Sequence, residues 1–163
     1  MSKTNFTVEQ LREVVEYSTD TGYFFSKVRR GKQAAFCRCG GFHANGYRLI
    51  SVFGTRFWEH RLAWFYVHGE WPKHHIDHIN GDPSDNRIAN LRDVNQTINM
   101  QNRKGPTKAN KSGFLGVIAR GSKWRARIKI AGEMKYIGTF DTKELAYSAY
   151  ITYKRAHHDG CTI

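Results

Sequence analysis

A carboxylate, an imidazole and two amides stand at fixed intervals in the middle of this chain. Asp77-His78-Ile79-Asn80-Gly81-Asp82 is followed by Asn86-Arg87, by Asn90-Leu91-Arg92 and by Asn99, so amides fall 12 and 21 residues after His78. Asp77 offers an anionic oxygen and Asn99 a neutral one, the donors a hard cation takes. His78 can accept a proton from water near neutral pH, where an imidazole titrates. The set therefore points to metal-assisted hydrolysis of a phosphodiester. One carboxylate, one amide and several waters suit Mg²⁺ or Mn²⁺ better than Zn²⁺. Arg87, Arg92 and Arg103 are the cations available for neighbouring phosphates. Asn102 rivals Asn99 one helical turn further on, and the spacing favours Asn99.

These groups need elements to position them. The pattern predicts a strand at 74–78, a loop through Gly81 and Pro83, a short strand at 91–94 and a helix from about 96 to 103. Neighbouring side chains leave a strand on opposite sides, so Asp77 and His78 share a site only if the strand ends at His78. The turn-forming Asn80-Gly81-Asp82 supports that break. Upstream, residues 7–17 predict a helix, with Thr7 and Gln10 at capping-box spacing and Val8, Leu11, Val14 and Val15 as its apolar stripe. Tyr23-Phe24-Phe25 and Tyr47 to Val52 read as strands, with a loop or long hairpin connection over 29–46. Leu62, Ala63, Phe65 and Tyr66 give a buried helix over 60–68, ended by Gly69 and Pro72. His60 on that helix reads as a packing residue.

Residues 103–112 lack apolar periodicity and hold four basic residues, which marks a boundary. Beyond it the rhythm changes. Phe114 to Ala119 predicts a strand, and Trp124 to Ile130 alternates strictly. Trp124, Ala126, Ile128 and Ile130 fall on one face, and Arg125, Arg127 and Lys129 on the other. After a turn at Ala131-Gly132-Glu133, a third strand covers 134–138. Asp141 then caps a helix, with Glu144 completing a capping box and Leu145, Ala146, Ala149, Tyr150 and Tyr153 facing inward. The plan is a three-stranded sheet with one helix on one face and a basic face opposite.

Composition agrees with a packed, nucleic-acid-binding chain. The 163 residues are 40% hydrophobic and 13% aromatic, and the net charge is +12. Residues 1–103 carry 14 Lys and Arg against 10 Asp and Glu, and residues 104–163 carry 12 against 4, so the charge is concentrated in the C-terminal part. A polyanionic partner gripped mainly by that part is the natural reading. No apolar run approaches a membrane span and no apolar stretch follows the N-terminus as in a signal peptide, so a cytoplasmic protein is expected. Cys37, Cys39 and Cys161 make neither a disulfide framework nor a zinc-site spacing.

The Asp77 to Asn99 pattern, together with Tyr23 to Val28, Gly46-Tyr47 and His60-Arg61-Leu62-Ala63-Trp64, resembles the H-N-H homing endonucleases of phage type, with the ββα-metal fold. The resemblance implies that His78 is the general base and that Asp77 and Asn99 hold one divalent metal on the scissile phosphate. Asn90 would bond to backbone in the loop and hold His78 in place. Ser112 to Val117, Lys123 to Ala126, Tyr136 to Thr142 and Glu144 to Tyr150 resemble the ethylene-response-factor (APETALA-two type) DNA-binding domain. That resemblance implies a sheet in the major groove, with Arg120, Arg125, Arg127, Lys129 and Tyr136 facing DNA. Leu115 and Met134 stand where that family usually carries basic residues, so its base specificity does not transfer.

The expectation is an α+β chain: an H-N-H nuclease module at 1–103, a basic linker at 104–111, where Lys104 adds a phosphate contact, and a DNA-binding module at 112–163. It would act on double-stranded DNA as a monomer with Mg²⁺ or Mn²⁺, in a host cytoplasm if phage-encoded. The competing reading is a transcriptional regulator that binds DNA without cutting it.

Overall fold

The computed structural model describes residues 6–29, 31, 34–103, 105–106 and 109–162. The chain divides into two compact units, Met1–Asn95 and Gln96–Ile163. Both mix helix and strand.

The first unit opens with α1 (Val8–Val14), capped by Thr7 and Gln10 in a reciprocal capping box. The helix stops earlier than its apolar periodicity predicts. Val15 turns to extended backbone, and β1 (Val15–Tyr17) pairs antiparallel with β2 (Phe24–Ser26). The β-branched pair Val14-Val15 favours that change, and Leu11 and Val15 are both fully buried by it. A three-stranded sheet follows in the order β3 (Gly41–Phe42), β4 (Arg48–Val52), β5 (Thr55–Trp58). Helix α2 (Glu59–His68) packs on β4 and β5 and ends at Gly69 in the left-handed conformation. Leu11, Phe24, Ile50, Val52, Leu62, Ala63 and Phe65 form one core, which reaches Ile76 and Leu91 of the final hairpin. That hairpin is β6 (His75–His78) against β7 (Leu91–Val94).

The second unit begins with α3 (Gln96–Gln101), the helix predicted over 96–103. Its sheet runs β10 (Glu133–Phe140), β9 (Lys123–Ile130), β8 (Val117–Arg120), all antiparallel. The first strand starts three residues later than predicted. The Ser112 hydroxyl lies 3.0 Å from Phe114 O and 2.8 Å from Val117 O and holds the chain in a turn there, and Gly113 and Gly116 both take positive φ. Helix α4 (Lys143–His157) lies against all three strands. Its N-cap is Thr142, which accepts from Leu145 N at 3.2 Å, rather than Asp141, which is exposed and paired with Lys123. The inner stripe is Ala146, Tyr150 and Lys154, and Leu145 is exposed. The lysine is tolerated because its ammonium donates to Arg103 O at 2.7 Å. With Val117, Ala126 and Ile128, Ala146 and Tyr150 make a separate core.

Candidate active site

Strand β6 ends at His78, and the register of the hairpin does the rest. Asp77 stands directly opposite Arg92, and His78 opposite Leu91. A cross-strand pair of opposite charges meets at this spacing. Arg92 Nε and Nη2 donate to Asp77 Oδ2 at 2.8 and 2.7 Å, and the carboxylate is buried. The arginine expected at phosphates is therefore engaged by the carboxylate expected at the metal.

The loop between the strands is built almost wholly from its own polar side chains. Gly81 takes φ +75° and donates its N–H to His78 O at 2.8 Å. Asn80 Oδ1 accepts from Asp82 N, and Asp82 Oδ1 accepts from Ser84 N and Oγ, each at 2.8–2.9 Å. Asn90 closes the loop. Its Oδ1 accepts from Asn80 N at 2.9 Å, and its Nδ2 donates to Asn80 Oδ1 at 3.0 Å and Asp85 O at 2.8 Å. Its carbonyl accepts from Ile79 N at 2.9 Å. Asn90 thus holds the residues following His78 through four bonds, although it does not itself hold the ring. Arg87 is largely exposed, and its side chain is tied to Asp85 at 2.6 and 2.8 Å.

The imidazole is held by a residue whose role the spacing did not suggest. His78 Nε2 lies 3.1 Å from Asn86 Oδ1. Asn86 Nδ2 donates to Glu59 Oε2 at 3.2 Å, and Arg48 Nε donates to that same oxygen at 2.8 Å. Arg48, Glu59 and Asn86 are all buried. Gly40 roofs the carboxylate: at φ +80°, a Cβ there would collide with Glu59 Oε1. Edge contacts from Tyr47 and His60, with ring centroids 5.8 and 5.3 Å away, complete the walls around His78.

Burial governs the protonation of this cluster. It holds His78 below the ordinary imidazole value, against the pull of the Asn86 hydrogen bond and of Asp77, Asp82 and Asp85. His60 is pushed down to about 3 by burial, with His78 and Arg61 adding repulsion. Burial thus favours the neutral form of both rings, which is the form a base requires. Burial also raises the Glu59 carboxyl, and Arg48 and Asn86 oppose that rise.

Among the described residues, no three His, Cys, Asp or Glu side chains come together in a way that would hold a metal ion. The oxygen donors around His78 are the carboxylates of Asp77, Asp82 and Asp85 and several amides. That chemistry fits a hard ion that keeps most of its waters and takes its remaining ligands from substrate, as Mg²⁺ and Mn²⁺ do. Asn99 lies on α3 and belongs to the second unit. Asn102 is buried within that unit, where its Oδ1 accepts from the Thr162 hydroxyl. Arg103 gives its carbonyl to Lys154 and leaves its side chain exposed. Lys104 lies outside the described residues.

In the second unit the outward side of the sheet carries the predicted basic row. Arg127 stands opposite Tyr136, and Lys129 opposite Met134. Arg120, Arg127, Lys129 and Tyr136 are exposed, whereas Arg125 is half-buried with its guanidinium 5.4 Å from the Tyr136 ring centre. Arg125, Arg127, Met134 and Tyr136 line a shallow hollow of about 260 Å³.

Residues 57–101, which include helix α2, the β6–β7 hairpin and His78, match the HNH endonuclease family. The chain belongs to that family. It is 31% identical over 102 residues to Protein 3.8 of Escherichia phage T7, an alignment covering 61% of this chain and 84% of that protein. No solved structure matches the chain. Among the described residues, no helix is long and apolar enough to cross a membrane.

Proposed function

We propose that this protein is a site-selective endonuclease of double-stranded DNA, a homing endonuclease of phage type, organised as modules 1–103 and 112–163 joined by the basic linker 104–111. The observation that carries the reading is His78: buried, held by Asn86 and fixed at the end of β6 next to Asp77. His78 takes a proton from a water as that water's oxygen attacks phosphorus. The P–O bond to the leaving sugar oxygen breaks, and that oxygen is protonated from solvent. Asp77 and Asn99 would hold one divalent ion, Mg²⁺ or Mn²⁺, which when bound supplies positive charge against the scissile phosphate. Asn90 keeps the loop after His78 in shape, so that the imidazole does not drift from attacking distance. Arg87 and Arg103, and Arg92 where it is shared with Asp77, neutralise flanking phosphates.

The C-terminal sheet supplies the grip. Its exposed Arg120, Arg127 and Lys129, with Arg125 and Tyr136, form a surface that suits the major groove, in the manner of the ethylene-response-factor domain. Three same-sign charges on one strand face repel one another until phosphates neutralise them.

The test is cleavage of supercoiled phage or plasmid DNA by wild type and His78→Ala, with Mg²⁺, Mn²⁺ or EDTA. We expect metal-dependent nicking or linearisation, a loss of about 10²–10⁴-fold in the variant, and unchanged DNA affinity. Tight binding to the native target DNA with no cut under any metal would make the protein a non-cleaving DNA-binding regulator instead.

A further inference from the structure

We infer that Asn86, oriented by the buried Arg48–Glu59 pair, is a positioning residue that fixes the tautomer of His78: the ring proton sits on Nε2, and the lone pair that accepts a proton sits on Nδ1.

The assignment follows from donors and acceptors, link by link. Arg48 has only donors, so Glu59 Oε2, 2.8 Å from its Nε, accepts. An oxygen in that role also accepts from Asn86, so the amide must turn its NH₂ toward Glu59, at 3.2 Å. Asn86 then has only its carbonyl oxygen left for His78, 3.1 Å away, and a carbonyl needs a donor opposite it. The neutral imidazole has one N–H, and here it is on Nε2. The chain of logic holds even when Glu59 is protonated, provided the proton sits on Oε1, the buried oxygen for which the described residues supply no hydrogen-bond partner.

The surroundings are built to keep Asn86 from moving. Its own carbonyl accepts from the Tyr17 hydroxyl at 2.7 Å, in a buried bond that spans 69 residues of sequence. Gly22, at φ +72°, lies against its backbone, where any Cβ would meet Asn86 C and Arg87 N. The residue is fully buried. A surface loop does not need this much buried polarity, since an unpaired buried ion is costly and the pair is replaceable by apolar side chains. Orienting a base does need it, because a ring of the wrong tautomer presents N–H where a lone pair is required.

This inference rests on His78 being the base, so its primary readout is independent of cleavage. Full-length protein labelled with ¹⁵N in histidine is observed by long-range ¹⁵N–¹H correlation at mildly alkaline pH, with His78→Gln used to assign the ring. We expect the Nε2–H tautomer in wild type. In Asn86→Ala we expect a mixture of tautomers and nicking slowed about 10–100-fold, the usual cost of losing an orienting partner, with DNA affinity unchanged. If Asn86→Ala does not fold, Glu59→Gln serves: a Gln carbonyl still accepts from Arg48 and from Asn86, so the Nε2–H form should persist. A wild-type ring in the Nδ1–H form, or an unchanged tautomer in folded Asn86→Ala, would overturn the inference and leave the nuclease reading standing. An Nε2–H ring in a protein that cuts nothing would leave the tautomer assignment intact and remove the nuclease.

Discussion

The two units handle polarity in opposite ways. The first buries Arg48, Glu59, His60, Asp77, His78, Asn86 and Asn90, and the second keeps Arg120, Arg127 and Lys129 in solvent and, among its described polar residues, buries only Asn102, Ser112 and Lys154. A buried charge loses its hydration and must be met by fixed partners, so each such residue constrains several others. An exposed charge constrains little and is screened by salt, but it is available to a polyanion. The first unit thus invests its polar residues in one rigid arrangement around His78, and the second presents them as a surface. Substitutions in the first should damage stability and chemistry together, and substitutions in the second should damage binding alone.

The largest effect on stability should come from separating the Arg48–Glu59 pair. Glu59→Ala leaves a guanidinium with 3% exposure uncompensated and takes the acceptor from Asn86 Nδ2. We expect a loss of roughly 3–5 kcal/mol in urea denaturation, the usual consequence of removing one partner of a buried pair. The second unit contains an ion pair of similar length, Lys123–Asp141 at 3.0 Å, with side chains 57% and 79% exposed. Asp141→Ala should stay within about 0.5 kcal/mol of wild type. Similar losses at both positions would end the contrast between the units.

The same contrast explains what the sequence reveals. The sheet of the second unit was legible because its signal is local: strict alternation from Trp124 to Ile130 and turns at Ala131-Gly132. The nuclease hairpin was legible in place, since strands at 74–78 and 91–94 and the break after His78 all leave marks within a few residues. The Arg48–Glu59–Asn86 chain was not. Its links span 11 and 27 residues, and Glu59 sits in the first turn of a helix, where an acidic residue is ordinarily explained by the helix dipole. The pairing of Arg92 with Asp77 was hidden for a related reason. It depends on the hairpin register, which the irregular loop 79–87 sets through hydrogen bonds that composition does not specify.

Acid should distinguish the units more gently. His60 titrates near 3 in the folded state against about 6.5 when unfolded, so the unfolded chain binds the extra proton between those values. Stability from this residue is fully present above about pH 6.5 and is lost progressively as pH falls toward 3. His78, shifted in the same direction, adds to the loss. Thermal melts across this window should show the first unit losing stability at a pH where the second has not yet responded, and His60→Phe should shrink the difference. A melt of His60→Phe with the wild-type pH slope would show that the buried ring is not its source.

The smallest effect sharpens the claim for the surface. Arg127 and Lys129 leave the same face of β9, exposed and opposite Tyr136 and Met134. If each neutralises one phosphate, Arg127→Ala with Lys129→Ala should reduce the slope of log K against log salt by about 2, because each contact releases roughly 0.9 of a counterion. Fold stability should change by no more than about 0.5 kcal/mol. Tyr136 offers a control on the same surface. It carries no charge, so Tyr136→Ala should weaken binding at every salt concentration and leave the slope alone. A slope unchanged by the double substitution would mean that this face does not lie on the DNA backbone, and a slope lowered by Tyr136→Ala would mean that its ring acts by orienting the neighbouring Arg125, over which it lies at 5.4 Å.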